Sequence, residues 1–229
     1  MSSLILKEHP LHLPAQNNIP CCASSASLKA AEIIMSSAGI TLRLSRLYTF
    51  YMARKLANKL DQQGLSIKET LDSMIQYGTA TDETWPFHFD KVNREPNEKS
   101  IIEASKYKLD SYQWADPKYF NSHLKEGKPV IIGMYTGRMY WKLKGTLEKQ
   151  FYKPINTTDN ERHRNHAVTI IGFDDTILNG SWIIANSFGL TWGDRGLGIL
   201  PYDCSQDINE SYVITKFAGV TPGKKISEN

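Results

Sequence analysis

Two adjacent thiols, Cys21 and Cys22, stand where the chain passes from a proline-punctuated stretch into a helical one. Residues Leu4 to Pro20 carry Pro10, Pro14 and Pro20 and read as extended chain. From Cys22 onward, Ala26, Ala30, Ile33 and Ile34 fall at helical spacing, with Gly39 as the stop. Cys22 therefore opens a helix, and Cys21 lies one residue short of it. A thiol attacks a carbonyl carbon as thiolate, and the free N–H groups and partial positive charge of a helix N-terminus favour that form. A free cysteine is more often a small buried hydrophobe, so spacing puts Cys22 first as nucleophile and keeps Cys21 second. His166 opens the run HAVTIIGF, and Asn186 closes another β-rich run before Gly189. A histidine at a strand mouth can point into a cleft while the strand behind it holds it rigid, where it could accept a proton. Read singly, a half-buried histidine and a turn-forming asparagine explain these two residues equally well.

The elements that must position these residues change character along the chain. Helices are expected from Ser45, as N-cap, to about Leu60, and from a capping box at Ser66-Ile67-Lys68-Glu69 to Gly78. A short one, opened by Asp116-Pro117, should end at Gly127. Residues Asn93 to Lys99 are polar and read as exposed. Strands follow at Pro129–Tyr135, His166–Phe173, Ser181–Ala185, Gly196–Leu200 and Ser211–Phe217, with Asn179-Gly180 as one of the turns. Helices first and antiparallel strands second indicate an α+β protein with a helical lobe and a β lobe. The polar stretch Lys153–Asn165 reads as a loop, and residues 223–229 as a frayed tail.

The totals narrow the classes. The 229 residues suit one domain or two lobes sharing an interface, and 41% hydrophobic residues can build a core. A net charge of +3 is too small to draw nucleic acid or a membrane surface by long-range attraction, so neither is expected as a partner. No run approaches the roughly 20 apolar residues of a membrane span, and no export signal is read. Three cysteines, two of them adjacent, suit free thiols in a reducing compartment, and a cytoplasmic location is expected. With no CxxC and no zinc spacing among six histidines, no metal and no other cofactor are expected.

Taken together, the motifs resemble the papain family of cysteine peptidases. The run NSFGLTWGDRG is similar to that family's N-S-W-G-x-x-W-G-x-x-G at every fixed position except Phe188, and HAVTIIGFDD resembles its H-A-V-x-x-V-G-Y. Gln16 precedes Cys22 by the family's six residues, and QYGTATDETWPF resembles its stretch from a helix-ending Y-G to a Y-P-Y loop. The family sets its His and Asn about 130–150 residues beyond the cysteine. Here the intervals are 144 (166 − 22) and 164 (186 − 22). The resemblance covers roughly residues 11 to 219.

It implies a two-lobed papain-like fold, with a helical N-terminal lobe (roughly 20–110) packed on an antiparallel β-barrel-like C-terminal lobe (roughly 111–222 plus the N-terminal extended segment). It further implies Cys22 as nucleophile, His166 as base, Asn186 to orient it, and an oxyanion hole from Gln16 and the Cys22 N–H. Phe188 would shield the His–Asn hydrogen bond, Trp192 would line the leaving-group side, and Gly64 and Leu65 would meet the substrate backbone. The implied partner is a peptide or protein substrate, cleaved at a peptide or isopeptide bond through a thioester. Three departures stand out. The aromatic residue directly after the nucleophile in C-G-[SA]-C-[WY] is Ala23 here, the paired glycines are Gly64-Leu65, and the disulfide cysteines are missing. With no pro-segment before the domain, the resemblance fits pro-segment-free intracellular relatives. The same triad would also serve acyl transfer to an amine, and a catalytically dead binding module is the reading from another class.

Overall fold

A sixteen-residue helix, α1 (Cys22–Ser37), runs through the middle of the molecule, which is described here from a computed structural model covering residues 2–6, 12–150 and 164–220. Before α1 lies the short strand β1 (Ser3–Ile5). Small residues let α1 be buried nearly all round: Ala23, Ala26, Ala30 and Ala31 admit neighbouring backbone closely, while Ile33 and Ile34 fill the remaining space. Its one internal ion pair, Lys29–Glu32 at 2.8 Å, is buried, and Glu32 also accepts the Leu44 N–H at 2.8 Å. Glu32 is thereby satisfied twice, as a buried charge must be.

Helix α2 (Arg46–Leu56) is capped by Ser45, whose hydroxyl accepts from the Tyr48 N–H at 3.1 Å. It stops four residues before the expected Leu60, because Asn58 adopts a positive φ of 55° and turns the chain. Helix α3 (Ile67–Gln76) opens on the full reciprocal capping box between Ser66 and Glu69, as expected. Helix α4 (Glu98–Ala104) occupies part of the segment read as merely polar: Asn97 caps it, Ser100 and Ala104 are buried, and Ile101 and Ile102 face outward. That inverted polarity hid it from an amphipathic reading.

The β lobe is a single antiparallel sheet. Its strands are β2 (Leu109–Trp114), β3 (Val130–Thr136), β4 (Arg164–Asp174), β5 (Ser181–Ala185), β6 (Leu197–Pro201) and β7 (Ile208–Phe217), with α5 (Phe120–Lys125) and the single turn α6 (Arg138–Trp141) between them. Strand order is β2-β7-β3-β4-β5-β6, with β1 added on β4. The ends, β2 and β6, do not pair among the described residues, so the sheet is an open one rather than the barrel-like closure expected. Strand β2 escaped the sequence reading because its pattern is mostly exposed, as befits an edge.

Two packing layers meet at the sheet. One face buries Val130, Ile132, Val168, Ile170 and Ile184 with Trp182 and Trp192. The other packs Ile131, Ala167 and Ile214 against Ala26, Ala30 and Ile34 of α1. Thr169 of β4 fixes the two lobes in register by donating its hydroxyl to the Ala26 carbonyl at 2.8 Å. The expected loop 153–165 lies largely, and the expected tail wholly, outside the described residues. Among the described residues no helix is long and apolar enough to cross a membrane.

Candidate active site

Cys22 is the first residue of α1, and its N-cap, Cys21, makes no side-chain cap. The first-turn N–H groups are therefore left for the sulfur itself. Burial pushes the Cys22 thiol up, while the N–H groups of Ala167, Ala23 and Cys22 pull it back and the Glu210 carboxylate opposes them. Cys21 behaves differently. It is 1% exposed, its sulfur lies 3.8 Å from the Ser25 hydroxyl, and burial drives its thiol up to about 11. One residue of helix geometry separates a partly exposed sulfur among N–H donors from an inert core thiol. All three cysteines are free.

The Ala167 N–H that reaches Cys22 belongs to the residue after His166. Antiparallel register sets Met134 opposite His166 and Gly133 opposite Ala167, and α1 packs on this part of β4. His166 is 4% exposed, and its Nε2 lies 2.9 Å from the Asn186 Oδ1. A carboxamide oxygen only accepts, so Nε2 carries the proton and the neutral ring keeps its lone pair on Nδ1. Burial lowers the His166 pKa to about 4, with the Asn186 hydrogen bond acting the other way. Around neutral pH the imidazole is thus an unprotonated base.

Asn186 leaves β5 and is held by three contacts. Its N–H donates to the Gly196 carbonyl at 3.0 Å, and its Oδ1 accepts from His166 and from the Ser187 N–H at 2.8 Å. Beyond it the glycine spacing of NSFGLTWGDRG has a geometric reason. Gly193 has a φ of +58°, and a Cβ there would strike the Leu197 carbonyl; Gly189, at φ +78°, sits against Ala15. That second approach lets the N-terminal stretch pair with the loop through an Ala15–Phe188 bridge and a Gln16 N–H to Ser187 carbonyl bond of 2.7 Å. Gln16 is delivered beside the site in this way. Its Oε1 accepts the Ser187 hydroxyl, and one Nε2 hydrogen goes to the Ile19 carbonyl at 2.8 Å, leaving the other N–H free of these bonds.

The aromatic residues divide. Phe188 lies against the imidazole, with ring centres 4.6 Å apart at 30°. Trp192 is 4% exposed and belongs to the β-lobe core, its indole N–H donating to the Tyr140 carbonyl at 2.8 Å. The exposed aromatic beside His166 is instead Trp141, which the sequence reading did not single out. Gly64 has a φ of +87° with open space around it, and Leu65 is half-buried against the helical-lobe core. Glu210, also missed, lies 143 residues from the α3 N-terminus whose Ile67 N–H it accepts at 3.1 Å, so no local pattern could have found it. Beside Asn186, a cavity of about 40 Å³ between the lobes is lined by Lys29, Glu32, Arg46 and Asp82 together with the apolar Leu28 and Leu44. Among the described residues no three His, Cys, Asp or Glu side chains are grouped to hold a metal.

A family model described as papain family cysteine protease matches residues 11–215. The chain belongs to that family. A curated relative, an uncharacterized peptidase C1-like protein of Acanthamoeba polyphaga mimivirus, is 24% identical over 208 residues, covering 85% of this chain and 65% of its own. Cysteine proteinase 3 of Entamoeba histolytica is 35% identical over 82 residues, 35% of this chain and 25% of that one. The chain thus spans less than two thirds of the length of these relatives. Among solved structures, xylellain, a cysteine protease from Xylella fastidiosa, superposes with a TM-score of 0.82 at 20% identity, covering 93% of this chain and 85% of its own. At that identity the likeness establishes the fold.

Proposed function

We propose that the protein is a thiol peptidase that hydrolyses peptide or isopeptide bonds through a thioester, with Cys22, His166 and Asn186 as its triad. The observation that carries this reading is the 2.9 Å His166–Asn186 hydrogen bond, which commits Nε2 and leaves Nδ1 as a base on the strand whose next N–H reaches the Cys22 sulfur. In the first half-reaction, Nδ1 takes the thiol proton as the sulfur adds to the substrate carbonyl. The resulting imidazolium returns that proton to the leaving amine, and the C–N bond breaks to give the thioester. A water then adds to the thioester with His166 again accepting the proton, the C–S bond breaks, and the thiol and a free carboxylic acid are released. The second Gln16 Nε2 hydrogen and the Cys22 N–H would bind the oxyanion, each such donor being worth roughly 3–4 kcal/mol in the transition state. Phe188 keeps the His–Asn bond dry, and the Gly64-Leu65 edge meets the acyl-side backbone.

Incubation with a peptide library, followed by mass spectrometry, tests the proposal. Cleavage products that vanish in Cys22→Ala support it. Amine-transfer products in place of acids would shift the reading to acyl transfer, and no product from either acceptor would leave a binding module. Cleavage that persists in Cys22→Ala and vanishes in Cys21→Ala would move the nucleophile.

A further inference from the structure

We propose that Trp141 is a positioning residue that seals the His166–Asn186 hydrogen bond from water by lying across the seam between the His166 and Phe188 rings. The inference rests on the triad reading above and deepens it. The ring centres form a triangle rather than a stack. Phe188 is 4.6 Å from His166, Trp141 is 4.9 Å from Phe188 at an interplanar angle of 25°, and Trp141 is 5.7 Å from His166. A linear stack with these spacings would hold Trp141 and His166 9.5 Å apart, the sum of 4.6 and 4.9 Å, instead of 5.7 Å. The indole therefore touches both rings at once.

Exposure orders the layers. Asn186 is 2% exposed and His166 buried, Phe188 is half-buried, and Trp141 is 39% exposed, so the indole is the outermost layer between solvent and the imidazole. Tyr140 closes the inner side, its ring 5.7 Å from His166 and 6.2 Å from Phe188. The backbone carrying Trp141 is anchored independently of any substrate, since the Trp192 indole donates to the carbonyl of Tyr140, the residue before it.

The physical need is specific to this chain. Phe188 stands at the single fixed position where NSFGLTWGDRG departs from the motif it resembles, and a phenyl covers less area than an indole. A hydrogen bond between neutral partners holds its geometry best where water cannot compete for either of them. With Trp141 removed, the half-buried phenyl is the only outer aromatic cover left over the bond among the described residues. Among the described side chains, the titratable groups on elements packed around His166 are Cys22 on α1, Tyr140 on α6 and Glu210 on β7. None of these is a cation, so solvent access is the term that Trp141 controls.

The test uses Trp141→Ala, Trp141→Phe and the double variant Trp141→Ala/Phe188→Trp, read by two measurements. Nitrogen-15 NMR follows solvent exchange of the His166 Nε2 proton and the titration of the ring, and steady-state kinetics separate kcat from KM. Trp141→Ala should accelerate that exchange, move the imidazole titration upward, and lower kcat about tenfold with KM little changed, the size usual for a residue that orients a working histidine. Trp141→Phe should keep most of the activity, and Phe188→Trp in the Trp141→Ala background should restore both readouts. Unaltered exchange and titration in Trp141→Ala would overturn the proposal, as would a loss confined to KM, which would make the indole a substrate contact. The NMR readout stands apart from turnover, so inactivity of the parent enzyme would count against the triad reading and not against the seal.

Discussion

The two sides of the cleft are built to different tolerances. On the β side, His166 is fixed by strand register, by a carboxamide oxygen that accepts two hydrogen bonds, and by three surrounding aromatic rings. Phe188 and Trp141 stand outermost of these, and Trp192 pins the α6 backbone from within. On the helix side, Cys22 depends on where α1 starts, and Gln16 depends on a loop anchored by the Ile19 carbonyl and the Ser187 hydroxyl. The imidazole proposed as base is therefore fixed by packing, and Gln16 and Cys22, proposed to bind the developing charge, are placed by hydrogen bonds and by the start of α1. A site divided in this way should lose chemistry more completely on the β side than on the helix side.

Turnover gives the largest contrast. His166→Ala should lower kcat/KM on the order of 10⁴-fold, because the thiol loses its proton acceptor. Gln16→Ala should cost on the order of 10²–10³-fold, one oxyanion donor. Initial rates on any substrate found by library screening decide it. Equal losses would mean that the Gln16 loop positions Cys22 as well as the oxyanion.

Acid should expose the next difference, in stability. The folded pKa of His166, about 4, lies below the ordinary value of 6.5. The unfolded chain therefore takes up this proton more readily than the folded one. Stability is fully present above pH 6.5, falls as pH drops through the window from 6.5 to about 4, and levels below it. At about 1.4 kcal/mol per unit, the contribution is on the order of 3 kcal/mol. His12, lowered to about 4 by burial and by Arg43, Lys29 and Arg46, acts in the same window and in the same direction. Melting temperatures of the wild type and of His166→Gln between pH 7 and 4 should converge as pH falls. Parallel curves would mean that the imidazole is already hydrated.

The same asymmetry decided what could be read from the residues. Gly189 and Gly193 hold positive φ and admit close neighbours, and their spacing is therefore visible as a motif around Asn186. Ser66 and Glu69 announce α3 because capping is a local interaction. Glu210 at the α3 N-terminus and Trp141 over Phe188 meet their partners through tertiary packing, which leaves no periodic trace. Strand β2 and helix α4 carry exposed apolar residues, Trp114 and Ile102 among them, and so lack the polarity pattern that marks an element. The open sheet was out of reach for a similar reason, since closure depends on whether β2 and β6 meet and not on either strand alone.

Backbone strain separates the two sides by a smaller margin. Gly193→Ala forces a Cβ into the left-handed region and onto the Leu197 carbonyl, next to the Gly193 N–H bond with the Leu143 carbonyl at 2.8 Å. A loss of about 2 kcal/mol is expected, or roughly 4–8 °C in melting temperature for a chain of this size. Gly64, in the helical lobe, has the same sign of φ but open space around it for the Cβ of Gly64→Ala. Its cost should be only the conformational one, about 1 kcal/mol. Equal melting temperatures for the two variants would show that the loop beyond Asn186 yields without effort.

The smallest effect tests whether the helix side transmits local loosening to the site at all. Ser66→Ala removes the hydroxyl that accepts the Glu69 N–H at 3.1 Å, while Glu69 can still accept the Ser66 N–H at 2.9 Å and the Lys59 ammonium at 2.6 Å. Half of the capping box survives, so about 1 kcal/mol of stability should be lost. Glu210 also holds the α3 N-terminus from β7, through the Ile67 N–H. That long-range cap should keep the helix start in place, so kcat should stay within about twofold of wild type, by the usual limit on distant, uncoupled sites. A larger fall in kcat would mean that the fraying of α3 releases Glu210. Freed of its N–H partners, that carboxylate would bear more strongly on the Cys22 thiol and disfavour its thiolate, which would tie the helix-side caps to the nucleophile.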